Sequence, residues 1–347
     1  MLKPENIIRV LLVDDSDLVR DMIRTILESE PGIVVVGAAS NGVEAIAKAA
    51  SLKPDIITMD IEMPLMGGLE AIERIIAAHP VPILVVTAQS GVRTAFAAMS
   101  KGALDVIEKP DISPENVQTL ITKIRYLAKV DVAAHLRIMG NRDKTKRESG
   151  AVVQHGVSKA GIVAIAASTG GPQAIHTILS HLPAAFPAPI VITQHIAEGF
   201  TQGMVEWLNG GTPLTVVMAG NGMRLAVGHV YVNPAEHSMR ITPQGMILLG
   251  DRDAGQIYRP SCNTLLTSVA AAYRQGVVGL IMSGMGDDGV AGMQAIKMRG
   301  GVTLAQDANS SVVFGMNRVA VERGFIDKVV PLATIPDELM QLAGDCR

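Results

Sequence analysis

Two sets of polar residues in this sequence are of kinds that do chemistry. Asp14, Asp15, Asp60, Thr87 and Lys109 make up the first, and Ser168, His195 and the adjacent Asp287 and Asp288 the second. Three carboxylates gathered in one place repel one another unless a cation sits among them, and ligands that are all oxygen favour Mg²⁺. Lys109 adds a mobile positive charge and Thr87 a hydroxyl suited to an anionic group, so the first set is fit to hold a metal and a phosphoryl group. In the second set, a histidine could take the proton of a serine while a carboxylate fixes the imidazole tautomer. The order serine, histidine, aspartate differs from that of α/β-hydrolases, chymotrypsin-like and subtilisin-like chains, and Ser168 lacks a G-x-S-x-G elbow. Triads are recognised by geometry, so neither point excludes one.

These residues matter only if the fold brings them together, and the apolar runs before them say that it does. In GIVAIAASTGGP, residues 161–172, the run 162–167 reads as a strand buried on both faces, and Pro172 suits the first turn of a following helix. The junction Ser168-Thr169-Gly170-Gly171 then has three readings of equal standing. Ser168 is a nucleophile beside an oxyanion site, the glycines cradle a phosphate at a helix N-terminus, or Ser168 only caps that helix.

Before this stretch, strands are expected at 7–13, 33–38, 56–59, 83–86 and 105–108. They alternate with helices at 18–27, 43–50, 68–78, 92–100 and 116–129. Strand–helix units in series imply a parallel sheet with helices on both faces. Asp14, Asp15, Asp60, Thr87 and Lys109 all fall at carboxyl ends of these strands, where open α/β sheets bind ligands. One aspartate so placed is usually a helix cap; five functional groups on one rim are not.

From 130 to 159 the rhythm is lost. Its middle, GNRDKTKRESG at 140–150, is too polar to order itself, so this segment reads as a flexible tether, with the preceding helix continued as far as 138. After it, buried strands are expected at 162–167, 190–193, 214–217, 277–282 and 302–305, with helices at 174–182, 204–208, 261–273, 290–299 and 336–343. Short strands at 230–232, 239–241 and 246–249 suggest antiparallel hairpins. The fold class is therefore α/β, two doubly wound parallel-sheet domains, the second Rossmann-like with a hairpin insertion. The domains expected are 1–129 and 160–347. A lone strand-end histidine is more often structural, but His195 shares its rim with Ser168 and Asp287/Asp288.

Composition narrows the function classes. A chain of 347 residues suits two domains, and 48% hydrophobic against 18% charged residues marks a well-buried protein. The net charge of -3 provides no broad basic field, so no nucleic-acid partner is expected. Cys262 and Cys346 cannot build a disulfide framework, and no apolar run approaches the ~20 residues of a membrane span. The N-terminal residues do not read as a signal peptide, so the expected setting is cytoplasmic.

Four motifs, VDDS at 13–16, MDIEMPLMGG at 59–68, VTA at 86–88 and KP at 109–110, resemble those of response-regulator receiver domains. The resemblance implies that Asp60 accepts a phosphoryl group from a chemotaxis histidine kinase. It further implies that Asp14 and Asp15, with Asp60, hold Mg²⁺ and that Thr87 and Lys109 read the phosphorylation. Val106 stands where the family usually has an aromatic switch residue, so the usual ring rotation has no counterpart there.

The second half, through ASTGGP at 167–172, QH at 194–195, RPS at 259–261, GMGDDG at 284–289, AQD at 305–307 and VVFGM at 312–316, resembles the catalytic domain of chemotaxis protein-glutamate methylesterases. This implies Ser168 as nucleophile, His195 as base and Asp288, rather than Asp287, as the carboxylate. Thr169 and a Met285 backbone N–H would support the oxyanion, and the ester step needs no cofactor. The implied substrates are methyl-accepting chemoreceptors, with glutamine deamidation as a second activity. An unphosphorylated receiver is expected to cover part of the esterase cleft. Ile196 and Asn317 depart from the family pattern, where methionine and proline are common. The competing class is a non-enzymatic response regulator whose second domain binds a partner; a third is a nucleotide-binding module built on the glycine loop.

Overall fold

The run IRVLLV forms the first strand, β1 (Ile8–Val13), whose residues from Val10 onward are buried. Ser16 ends the turn after it and caps α1 (Asp17–Glu28), its hydroxyl accepting from the Val19 N–H. The alternation continues through β2 (Ile33–Ala39), α2 (Gly42–Leu52), β3 (Ile56–Met59), α3 (Gly68–Ala78), β4 (Ile83–Thr87), α4 (Val92–Ser100), β5 (Asp105–Glu108) and α5 (Pro114–Leu127). The computed structural model describes residues 7–88, 91–140, 161–251 and 258–344.

These strands make a 5-stranded parallel sheet in the order β2-β1-β3-β4-β5. Because β2 and β3 flank β1 on opposite sides, the winding reverses there. The crevice beyond the carboxyl ends of β1 and β3 is the place such a sheet offers a ligand.

The helix expected to run on from α5 to residue 138 is instead two helices. α5 stops at Leu127, and α6 (Val132–Gly140) starts afresh with the Asp131 carboxylate accepting from the Ala134 N–H at 2.9 Å. Val132 and His135 are buried, so apolar contact holds α6 to the first unit. The two compact units part between Arg137 and Ile138. The rest of the expected tether, from 141 on, lies outside the described residues.

The second unit contains β6 (Ile162–Ala167), α7 (Gly171–Leu179), β7 (Ile190–Gln194), α8 (Thr201–Gly211), β8 (Thr215–Met218), β9 (His229–Val232), β10 (Ser238–Ile241), β11 (Ile247–Gly250), α9 (Cys262–Tyr273), β12 (Val277–Ile281), α10 (Val290–Met298), β13 (Val302–Gln306), α11 (Met316–Glu322), β14 (Lys328–Val330) and α12 (Ile335–Gly344). Its 7-stranded sheet runs β14-β13-β12-β6-β7-β9-β8, all parallel. β6 is buried along its whole length, as its unbroken apolar run requires. Here too the winding reverses, with β7 on one side of β6 and β12 on the other.

Of the expected hairpins, only β10–β11 is antiparallel. β9 lies in the main sheet, parallel to both β7 and β8, because Val230, Tyr231 and Val232 are apolar on both faces and need cover on both. α11 and β14 had no counterpart among the expected elements.

Candidate functional site

At the rim of the first sheet, Asp14 follows β1 and Asp60 follows β3; both are buried, while Asp15 is exposed. Backbone N–H groups orient them, Ser16 donating to Asp14 Oδ1 at 3.0 Å and Ile61 to Asp60 Oδ1 at 2.7 Å. Lys109, just after β5, reaches between them, its Nζ 2.7 Å from Asp14 Oδ2 and 2.7 Å from Asp60 Oδ2. Burial works against its ammonium, but those two hydrogen bonds outweigh it and hold its pKa above the usual 10.5. Burial pushes the Asp14 carboxyl up, with the Asp60 charge adding to it, against the Lys109 and Ser16 bonds that pull the other way.

One lysine is thus shared by crowded carboxylates, an arrangement short of positive charge. One oxygen each from Asp14, Asp15 and Asp60 lies within 4.8 Å of the others, so the donor set is all oxygen and partly open to water, which suits Mg²⁺. Thr87 closes β4 beside β3, and its carbonyl accepts from the Lys109 N–H at 2.9 Å. All residues singled out for the first set therefore share one rim.

The rim of the second sheet gathers the other set. Ser168, His195 and the loop carrying Asp288 follow β6, β7 and β12, which are adjacent strands. The His195 N–H donates to the Ala167 carbonyl and the Ser168 N–H to the Ser283 carbonyl, each at 3.0 Å. Gln194 Nε2 donates to the carbonyls of Ser168 (2.8 Å) and His195 (2.9 Å), fastening both strand ends to each other.

His195 Nε2 donates to Asp288 Oδ2 at 2.8 Å. This leaves Nδ1 to receive a proton. The Ser168 hydroxyl, 6% exposed as a residue, makes no hydrogen bond among the described residues. Contacts of this kind often tighten only when substrate is bound.

Asp288 sits at the N-terminus of α9. The Cys262 N–H (2.6 Å), the Asn263 N–H (2.9 Å) and the Ser261 hydroxyl (3.2 Å) all donate to it. Burial would raise its pKa, but the His195 bond and charge and the two backbone donors hold the carboxyl below the usual 3.8. Asp287 is exposed and does not reach the imidazole; its carbonyl accepts from the Val290 N–H that opens α10.

The three readings of the β6–α7 junction now separate. The cap of α7 is Gly170, at φ 76°, and no side chain caps the helix, so Ser168 is not its cap. The Gly171 N–H is taken by the Ser168 carbonyl at 2.7 Å, and Val312 packs over Gly170, leaving poor room for a phosphate. Thr169 is buried, its carbonyl accepting from Ser283 Oγ at 2.7 Å. Among the described residues, no hydrogen bond engages the Met285 N–H.

Some residues at this site escaped the sequence reasoning. Cys262 is buried with its Sγ 3.5 Å from His195 Nε2, and burial pushes its thiol well up. Tyr258 stacks on the imidazole with ring centroids 5.1 Å apart. Both flank the RPS motif, whose only readable signal was a helix start at Ser261. Asn317 is fully buried and its amide nitrogen donates to the Gln306 carbonyl and Ser311 Oγ, both at 2.9 Å, so it anchors α11 away from the triad.

Comparison with known proteins agrees with this division of the chain. Residues 163–339 match the CheB methylesterase family model, and residues 10–122 match that of the response regulator receiver domain. The chain is 45% identical to protein-glutamate methylesterase/protein-glutamine glutaminase 3 of Paramagnetospirillum magneticum, over 97% of this chain and 96% of that one. It is 36% identical to the protein of that activity from Thermotoga maritima, over 97% and 99% of the two chains. Among solved structures, the Thermotoga maritima CheB methylesterase catalytic domain is similar at 36% identity with a TM-score of 0.52, covering 54% of this chain and 100% of that one.

Proposed function

This chain belongs to the CheB methylesterase family, and from that premise we propose that it removes methyl groups from glutamate methyl esters on chemoreceptors under control of its receiver domain. The observation that carries the reading is the 2.8 Å bond from His195 Nε2 to Asp288, with Ser168 at the end of the adjacent strand. Ser168 Oγ attacks the γ-carbonyl while His195 Nδ1 takes its proton, and Asp288 stabilises the imidazolium. The oxyanion of the tetrahedral intermediate meets the Met285 N–H, with Thr169 shaping the pocket. His195 returns the proton to the leaving methoxide, so methanol departs and an acyl-enzyme remains. Water, deprotonated by His195, attacks the acyl carbon, and the serine is released together with a glutamate carboxylate. A receptor glutamine follows the same path with ammonia leaving in place of methanol.

On the other sheet, Asp60 accepts the phosphoryl group from the phosphohistidine of a kinase. Asp14, Asp15 and Asp60 would hold Mg²⁺, which when bound neutralises charge on the transferring group. Lys109 and Thr87 would pair with the phosphoryl oxygens afterwards. Among the described residues no helix is long and apolar enough to cross a membrane. A cytoplasmic setting goes with the reading.

The test is release of methanol from methylated receptor membranes by the full chain, with and without a small-molecule phosphodonor and Mg²⁺. Turnover that rises with phosphodonor, disappears in Ser168→Ala and loses its stimulation in Asp60→Asn is the expected result. A parent chain that binds receptor but releases no methanol would instead establish the partner-binding class.

A further inference from the structure

Outside the residues that do the chemistry, one side chain touches both halves of the triad's support. The Tyr258 ring lies against the face of the His195 imidazole, centroids 5.1 Å apart and planes 11° from parallel. Its hydroxyl reaches the loop after β12, beside Gly286 and close to Asp287. The approach is so close that a Cβ on Gly286 would stand 2.3 Å from that hydroxyl oxygen. The same loop carries Asp288 and the Met285 N–H.

We propose that Tyr258 is a positioning residue of the esterase, holding the imidazole in the plane where Nε2 meets Asp288 and stabilising the imidazolium with its π face. The inference rests on the reading of His195 as the base and deepens it. Contacts at one ring atom, Nε2 to Asp288 and to Cys262 Sγ, leave the imidazole free to tilt about that atom; a second ring stacked on its face removes the freedom. The spacing falls within the ~4.5–7 Å of favourable aromatic pairs. A cation over an aromatic face gains more than the neutral ring does. The stack therefore favours the charged state that arises in the transition state.

The other ionisable groups around the imidazole act at its edge or at a distance. Asp288 and Cys262 meet Nε2 from the loop after β12 and from α9. Asp287 is exposed on that loop, and Glu198 and Arg259, 3.9 Å apart, lie on the segments that carry His195 and Tyr258. Burial, then the Asp287 charge, pushes the Tyr258 phenol up, so it stays neutral while the histidine works. Among the described residues Tyr258 alone stacks on His195.

The experiment uses the full chain with Tyr258→Phe, Tyr258→Leu and Tyr258→Met. The His195 imidazole is titrated by NMR, and methanol release from methylated receptor membranes is followed against pH. Phenylalanine keeps the π face and should titrate with the parent. Leucine and methionine should move the imidazole NMR titration and the acid limb of kcat/KM together to lower pH. Their kcat should fall roughly three- to tenfold with KM unchanged. If both variants titrate with the parent, the proposal is overturned even where activity is lower, since a purely structural side chain would do that. The NMR arm needs no turnover, so a parent chain without esterase activity would count against the methylesterase reading and not against the stack.

Discussion

Asp287 and Asp288 are neighbours of the same type, and their surroundings give them different work. Asp288 collects the imidazole, the Ser261 hydroxyl and two backbone N–H groups, whereas Asp287 points to water and supports α10 only through its carbonyl. Asp288→Asn should therefore reduce methanol release by orders of magnitude, and Asp287→Asn by less than about tenfold. Ser168→Ala, His195→Ala and the double variant should be nearly equal in effect, because the residues act as a unit. Asp288 also links stability to pH. Its pKa is lower folded than unfolded, so its contribution is fully present above the usual 3.8 and is lost as pH falls through the lower folded value. Urea titrations should find Asp288→Asn less stable than the parent by on the order of 1–3 kcal/mol near neutrality, with the gap closing in acid.

At the scale of elements, the site depends on how tightly the ends of β6 and β12 approach. Gly284, in the loop after β12, lies so near that a Cβ there would stand 2.6 Å from Ser168 Cβ and 2.4 Å from Met316 Sδ. Its carbonyl accepts from the Met316 N–H at 2.9 Å, so α11 is docked onto the same point. Gly284→Ala cannot be relieved by one flexible side chain, since the Ser168 backbone nitrogen is 3.1 Å away as well. The expected cost is about 1–3 kcal/mol in thermal unfolding. Methanol release should drop on the order of 10–100-fold, because the nucleophile is displaced. A variant that loses stability but retains full kcat would show that Ser168 tolerates the shift.

On the proposed reading the whole molecule couples a phosphoryl-accepting rim to a hydrolytic one, and the expected coupling is a shift of populations rather than a change in triad chemistry. Phosphorylation can shift activity only as far as the phosphoryl group favours the open over the covered form. A fragment starting at Ala151 should release methanol faster than the unphosphorylated full chain and should not respond to phosphodonor. If the fragment is no faster, the receiver is not a cover and acts as an activator or a docking device. Val106, buried in β5 and paired with Val85, is no ring that could turn, so on the proposed reading signalling beyond Asp60 would fall to Thr87, Lys109 and the elements that carry them.

Strand patterning alone placed Asp14, Asp60, Thr87, Lys109, Ser168 and His195 at carboxyl rims, because an apolar run must be buried and the polar residues just past it must lie at its end. Local patterning could not decide β9, which resembles a hairpin strand until its two covered faces are seen, nor the break before α6, which depends on where Val132 and His135 find apolar contact. Between adjacent aspartates, sequence spacing offered no physical preference; only the packing of α9 against the loop after β12 directs Asp288 to the imidazole. Tyr258 and Cys262 were invisible for the same reason. Their importance comes from which face of His195 they meet, and that is a matter of tertiary approach between segments far apart in the chain, on which no periodicity bears.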